Sequence, residues 1–427
     1  MKKKRKKRIE HWSRRWQSLS HRLVIEEVCI VSLKLNIFLQ LTKMIIGRAV
    51  TKRSSWCVRC FSVSSVEFNG NRRLAALWGN GDHGRLGHGS LESQWRPNVL
   101  PSSAFHNQNL RQIACGGAHS LFLTDHGRVY ACGLNDYGQL GVSDDRAYIS
   151  EPLGVAGLPK EIVKVSAGCH HSSAITVDGE LYMWGKNTYG QLGLGKNKGE
   201  TLSWGGGQSG RLGHGHQSGI FGLIKSDSEY TPRLIKELEG LKVKNASAGM
   251  LHSVCISATE NGSVHIFGER ANKKLGFSEA SNCSLPSVVD GLPYAEKAAC
   301  GGYHTCVITG GGELYVWGTN ENGCLGIGST DVAHLPERVE GPFLRHSVSE
   351  VSCGWKHTAA ISGGNVYTWG WGGSHGTFSV DGHSSGGQLG QGNDVDYIKP
   401  TKINFRRHVK ALQVSCGFNH TGAIFEY

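Results

Sequence analysis

The chain has 427 residues, a formal charge of +12, 60 glycines, 11 tryptophans and 13 cysteines. Residues 1–61 hold 16 Lys/Arg against 3 Asp/Glu, a net of +13, whereas the remainder holds 30 against 31, a net of −1. The excess charge thus belongs to the N-terminal segment, so charge composition makes no case for a polyanion-binding globular surface and leaves only local basic patches open.

The basic segment has two parts. Residues 2–8, Lys-Lys-Lys-Arg-Lys-Lys-Arg, have the form of a nuclear localisation cluster and also of a solvated tail. From Met44 to Val66 the chain carries Arg48, Lys52, Arg53 and Arg59, five serines and no acidic residue, the composition of a mitochondrial transit peptide. Arg59-Cys60-Phe61-Ser62 is similar to a mitochondrial processing site, with cleavage before Ser62. The expectation is a transit peptide over 44–61 and import into the mitochondrial matrix. Residues 1–43 are then a basic extension that translation from Met44 would leave out; if they are real, nuclear entry is the alternative. The apolar stretch Leu23–Leu41 contains Glu26, Glu27 and Lys34, which makes it poor as a membrane span.

Two phrases then recur. Gly-x-x-His, preceded by Cys or Ala, ends at His119, His171, His252, His304, His357 and His420, with steps of 52, 81, 52, 53 and 63 residues. An aromatic or Cys followed by Gly, with Leu-Gly downstream, recurs at Trp78, Cys132, Trp184, Trp204, Phe267, Trp317 and Trp369. A unit near 52 residues is too small to bury a core alone but suits one four-stranded blade stacked on its neighbours. Within a unit, Thr305–Thr309 and Glu313–Trp317 alternate around Gly310–Gly312, which predicts a hairpin.

The predicted fold is an all-β, seven-bladed propeller over 74–427. The first Trp-Gly lacks a preceding Gly-x-x-His, and the last Gly-x-x-His lacks a following Trp-Gly. Leu74–Trp78 is therefore expected to pair with Thr421–Phe425 in a shared closing blade, leaving no long free edge. One blade, around 185–213, is truncated: Trp184 and Trp204 are only 20 residues apart, so roughly thirty residues, about two strands, are missing. The gap reads as a skipped exon or gene-model fault between Gly195 and Trp204.

Six histidines at one repeat position are spread around a ring and cannot converge on one site; each is expected to bond the backbone of its own blade. Cys115, Cys300, Cys353 and Cys416 also share one position, and are expected to be separated, buried thiols in a reducing compartment. Cys57 and Cys60 have redox or metal spacing but lie in the expected leader. No nucleophile–base pair, paired carboxylates, phosphate loop or cofactor fingerprint is found, so no catalytic, cofactor-binding or metal residues are assigned and no enzyme is expected. Candidate partner-binding loops are His214–Glu229 and Trp371–Gly387, where the repeats differ.

The paired phrases, such as Cys-Gly-Gly-Tyr-His-Thr (300–305) followed by Leu-Tyr-Val-Trp-Gly-Thr-Asn-Glu-Asn-Gly-Cys-Leu-Gly (314–326), resemble the regulator of chromosome condensation repeat over residues 74–427. The family's founding member is a guanine-nucleotide exchange factor, and one plant branch is a UV-B photoreceptor with three Gly-Trp-Arg-His-Thr phrases. Here only Gly354-Trp355-Lys356-His357-Thr358 is similar, so photoreception is not expected. With the leader, the chain looks like the plant mitochondrial branch; Trp369–Ser379 is also similar to it. That resemblance implies a non-catalytic scaffold in organellar RNA processing (intron splicing), and thereby in respiratory complex I biogenesis. Its partners would be RNA-processing proteins, with RNA contacted directly or indirectly. The alternative is an exchange factor for a small GTPase.

Overall fold

A computed structural model describes residues 72–427 except 160, 194–200, 216–227, 269–282, 374–385 and 406–408. Short β-rich segments between glycine turns give 25 strands arranged as seven antiparallel sheets among the described residues. β1 (Arg73–Gly79) and β2 (Gln94–Val99) open the chain. β3 (Leu110–Cys115), β4 (His119–Thr124), β5 (Val129–Leu134) and β6 (Tyr148–Gly154) make the first complete blade. β7 (Ile162–Ala167), β8 (His171–Thr176) and β9 (Leu181–Gly185) form a sheet of three, and β10 (Leu202–Gly205) and β11 (Glu229–Leu234) a sheet of two.

Three further complete blades follow. One comprises β12 (Val243–Ala248), β13 (His252–Ser257), β14 (Val264–Gly268) and β15 (Cys283–Val288). Another comprises β16 (Ala295–Cys300), β17 (His304–Thr309), β18 (Leu314–Gly318) and β19 (Ala333–Arg338). The third comprises β20 (Val348–Cys353), β21 (His357–Ser362), β22 (Asn365–Gly370) and β23 (Tyr397–Lys402), and after it come β24 (Lys410–Cys416) and β25 (His420–Glu426). The hairpin predicted around Gly310–Gly312 is β17–β18.

The ends close as expected. β25 lies between β24 and β1 in the order β2-β1-β25-β24, with Leu74 opposite Phe425 and Trp78 opposite Thr421. Blades stacked on both sides bury their central strands at every residue, as in β4, β13, β17 and β21, and Trp78, Trp317 and Trp369 are fully buried between blades.

The blade count is corrected. Among the described residues six inner strands (β3, β7, β12, β16, β20 and β24) stand around the axis, and the β10–β11 sheet contributes none. The shortage is also divided differently from the expectation. By repeat position and among the described residues, β9 lacks the outer strand that should follow it, and β10 lacks the two inner strands that should precede it. The missing stretch thus runs from the rim of one sheet into the heart of the next, rather than halving a single blade. Leu202 and Trp204 still pack on Leu181, Met183 and Leu234, which keeps the two-stranded sheet attached.

Candidate functional site

At the inner end of each complete blade the chain turns from the first strand to the second through Gly-x-x-His. Glycine is required there by contact: a Cβ on Gly116 would lie 2.5 Å from both His119 Cε1 and the Gly168 carbonyl oxygen. Six such turns converge on the axis and line a cavity of about 140 Å³. Backbone bonds tie four pairs of neighbouring turns: Gly117 N to Gly168 O, Met250 N to Gly301 O, Gly302 N to both Gly354 O and Trp355 O, and Phe418 N to Gly116 O. Among the described residues no equivalent bond joins the turns of β7–β8 and β12–β13, where the inner strands are missing, nor those of β20–β21 and β24–β25, where they are present.

The histidines do not bond their own blades, as the sequence reading expected. Five of the six reach a hydroxyl in the next blade: His119 Nε2 to Ser172 Oγ at 2.9 Å, His252 to Thr305 at 3.0 Å, His304 to Thr358 at 2.9 Å, His357 to Thr421 at 3.0 Å, and His420 to Ser120 at 3.0 Å. His171 makes no such bond among the described residues, because the strand that would carry its hydroxyl is missing. Sequence reasoning found no nucleophile–base pair, yet these five Ser/Thr–His pairs, and a sixth between Ser203 and His214 at 3.0 Å, are at hydrogen-bond distance.

In four of the five interblade pairs the polarity is the reverse of a catalytic pair. The hydroxyl proton is already committed: Ser120 Oγ donates to Arg85 O at 2.7 Å, Ser172 to Gln139 O at 2.7 Å, Thr358 to Cys324 O at 2.8 Å and Thr421 to Gln388 O at 2.9 Å. The hydroxyl oxygen therefore accepts from Nε2–H, and the imidazole has no lone pair facing it with which to act as base. Burial pushes His119, His304 and His357 down to about 3, and His171 and His252 to about 4, so all are neutral. They are fasteners between blades.

The cysteines are placed similarly. Cys300, Cys353 and Cys416 donate Sγ–H to the carbonyls of Ser247, Ala299 and Ser352 in the preceding inner strand, at 3.5, 3.5 and 3.4 Å. They line the shared cavity, so the expectation that they lie far apart is corrected; around so narrow an axis neighbouring thiols interact. Burial pushes Cys115 and Cys416 up to about 12, which holds them as thiols. His304, Cys306 and Cys353 bring three donor atoms within 4.8 Å of one another. His304 Nε2 is held by Thr358, and burial raises the Cys353 thiol, both of which oppose metal capture.

The cavity mouth is where the blades differ. Trp355 stacks on Phe418 at 4.5 Å, meets Trp371 edge-on at 5.9 Å, and carries Lys356 Nζ 4.9 Å above its ring. Trp355 Nε1 is buried with no hydrogen-bond partner among the described atoms. Beside the β7–β8 turn, Tyr137 lies against His170 at 5.4 Å, with Lys186 over Tyr137 at 4.6 Å. This aromatic and basic rim around a small apolar bowl can grip a protruding side chain. The loops His214–Glu229 and Trp371–Gly387 lie mostly outside the described residues, as do residues 1–71 with the leader and the Cys57–Cys60 pair.

One recurrent residue escaped the sequence reading. In every outer strand a proline stands three positions after the residue opposite the Trp-Gly glycine or its equivalent: Pro97, Pro152, Pro232, Pro286, Pro336 and Pro400. It falls at the bulge and on an edge strand, where a missing N–H costs no ladder bond. The spacing was legible; it was masked by the variable loop lengths before it.

The fold and its phrases define a repeat propeller, and comparison with known proteins names the class. The family model of the regulator of chromosome condensation (RCC1) repeat matches residues 77–123, 126–175, 198–256, 261–308, 311–361 and 382–424. The chain belongs to the RCC1 repeat family. It is 30% identical over 358 residues to the Arabidopsis thaliana ultraviolet-B receptor UVR8, covering 83% of this chain and 71% of that protein. It is also 30% identical over 327 residues to the RCC1 domain-containing protein RUG3, mitochondrial, of the same plant, covering 67% and 72%. Some relatives are far longer: the chain spans 6% of the human E3 ubiquitin-protein ligase HERC2. Among solved structures, Prp20p of Saccharomyces cerevisiae superposes with a TM-score of 0.69 at 21% identity, covering 83% of this chain and 92% of that one.

Proposed function

We propose that this chain is a non-catalytic binding scaffold of the mitochondrial matrix, acting in organellar RNA processing (intron splicing) and thereby in respiratory complex I biogenesis. The observation that carries the reading is the conjunction of a 30%-identical mitochondrial relative with the acid-free basic segment 44–61. The histidine–hydroxyl pairs fit a binding role because they are locked in the wrong tautomer for catalysis. In this reading residues 44–61 are a transit peptide, and β10–β11 is what is left of a seventh blade. A fusion of residues 44–80 to a fluorescent protein is expected to enter mitochondria; a cytosolic or nuclear signal overturns the reading. Protein recovered from mitochondria is expected to begin at Ser62 or within a few residues of it. Partners captured from organelles should include RNA-processing proteins, and their survival of ribonuclease separates protein contacts from RNA tethering.

The second reading is an exchange factor for a small GTPase. Prp20p, whose fold this chain shares, is described by its binding to Gsp1p and histones. Acceleration of nucleotide release from a mitochondrial or nuclear GTPase by the purified chain would favour this reading over the first.

A further inference from the structure

Across the intact seams, the residue two after each Gly-x-x-His histidine lies against the last residue of the next inner strand. A Cβ on Gly422, two after His420, would sit 3.2 Å from Cys115 Sγ. A thiol at the end of the inner strand recurs with the repeat, and its ordinary role is that of a small buried packing group. A thiol two after the histidine does not recur. That position holds Leu121, Ser173, Val254, Ala359 and Gly422 in the other blades, and Cys306 in β17. Among the described residues, two thiols therefore meet in this way only at the seam where Cys306 faces Cys353.

The approach there is close. Cys353 Sγ crosses the seam to the Ala299 carbonyl at 3.5 Å, and Ala299 is the ladder partner of Cys306. His304 and Cys306 stand two apart on one face of β17, the face from which His304 Nε2 reaches Thr358 in the next blade. One donor atom from each of His304, Cys306 and Cys353 lies within 4.8 Å of the other two. Metal–sulfur bonds of about 2.3 Å set in line span roughly 4.6 Å, a length this separation admits. Entry is from the axial bowl, which Cys353 lines together with Met250, Cys300 and Cys416, whereas Cys306 is fully buried behind it.

We propose that Cys306 and Cys353 form a two-sulfur site for a soft monovalent cation, cuprous copper, held between adjacent blades. Sulfur ligands select such an ion over hard ones. The features that oppose metal capture act on ions that need nitrogen and several thiolates, as zinc does: Thr358 withholds His304 Nε2, and burial holds the Cys353 proton. A two-coordinate ion requires neither. Cys306 gives up its proton to the buffer as its bond to copper forms. Cys353 keeps the proton that it donates to Ala299 O and binds through a neutral sulfur, as a thioether does. One monovalent cation and one thiolate leave the seam without net charge, and no electron is transferred. The bound ion joins β17 to β20 and stabilises the seam by mass action.

The test uses the full chain carrying Cys57→Ser and Cys60→Ser, which removes the competing Cys-x-x-Cys pair. Cuprous ion is supplied without oxygen from a chromophoric chelator that reports its transfer. One tight site per chain is expected, with two sulfur neighbours and no nitrogen by X-ray absorption. A higher melting temperature and slower alkylation of Cys353 should accompany it. Cys306→Ala should weaken binding at least tenfold, whereas Cys416→Ala, in the same bowl, should change it less than threefold. Failure of the chain to take the ion from the chelator overturns the inference, and so does a nitrogen neighbour. Equal losses in Cys416→Ala and Cys306→Ala would assign the ion to the recurrent thiols and equally overturn it. If Cys306→Ala does not fold, the chain with Cys306 in place decides: an unchanged melting temperature and unchanged alkylation of Cys353 on adding the ion overturn the inference.

Discussion

The seam between the β16–β19 and β20–β23 blades and the seam between β7–β9 and the sheets after it are built from the same repeat, and they differ in which fasteners survive. At the first, an inner bond joins His304 to Thr358 and an outer one joins Trp369 Nε1 to Cys324 O at 2.9 Å. At the second, the outer bond persists as Trp204 Nε1 to Gln191 O at 3.0 Å, whereas the inner histidine, His171, has lost its hydroxyl. The two fasteners are thus separable. The tryptophan fixes the blade that follows to the preceding loop even when the axial half of that blade is missing, which is why a two-stranded sheet remains in place.

Acid should break the intact seams most severely. His119, His304 and His357 titrate near 3 in the folded chain against about 6.5 when unfolded, so between those values the unfolded state binds more protons. Their stabilisation is fully present above pH 6.5 and falls as the pH drops toward 3, each by up to about 1.4 kcal/mol per pH unit. Urea melts from pH 7 to 4.5 should show a marked cumulative loss, of the order of the net stability of a typical domain. A flat profile would mean the imidazoles are not held neutral.

Restoring about thirty residues between Gly195 and Trp204 should raise stability next most. At roughly 25 cal/mol per Å², covering 400 Å² of apolar flank is worth up to about 10 kcal/mol. Thermal melts of both versions measure it, and equal melting temperatures would show that the ring re-forms around the gap. Transcript sequencing across the junction shows whether the longer form exists.

Substitution then compares the seams directly. His357→Ala should cost about 2–4 kcal/mol, from a cavity and an orphaned hydroxyl. His171→Ala should cost less than half as much, and equal losses in denaturant titration would mean the broken seam retains its inner fastener. The smallest effect belongs to the outer bond: Trp369→Phe and Trp204→Phe should each lose about 1 kcal/mol, alike within error. A markedly larger loss at Trp369 would show that inner and outer fasteners act together.

Much of this was readable in the chain because repetition multiplies weak signals. Alternation in Thr305–Thr309 is ambiguous alone, but six copies at one offset from Gly-x-x-His fix the strand order, and the unmatched phrases at Trp78 and His420 locate the closure. The hydroxyl partners of the histidines were not readable. Ser172, Thr305 and Thr358 follow the next blade's histidine by one position, and only the stacking of adjacent blades brings them to the preceding one. The division of the shortage also escaped, since a count of residues between Trp184 and Trp204 says how many are missing but not which strands they were. At the cavity mouth, the stacking of Trp355 on Phe418 joins residues 63 positions apart that occupy one repeat position, and here substitution away from the repeat was itself the signal.

The shared blade has a consequence for how the molecule is made. Trp78 donates its indole N–H to Gln388 O, 310 positions away, and β1 finds its partner β25 only when almost all the rest of the ring has been produced. A chain delivered from its N-terminal end, by ribosome or translocase, must hold β1 as an orphan strand through that whole interval. Such late, long-range closure is slow and leaves an adhesive strand exposed. Holdase chaperones during synthesis or import therefore matter more to this chain than to a propeller whose ring meets between two complete sheets.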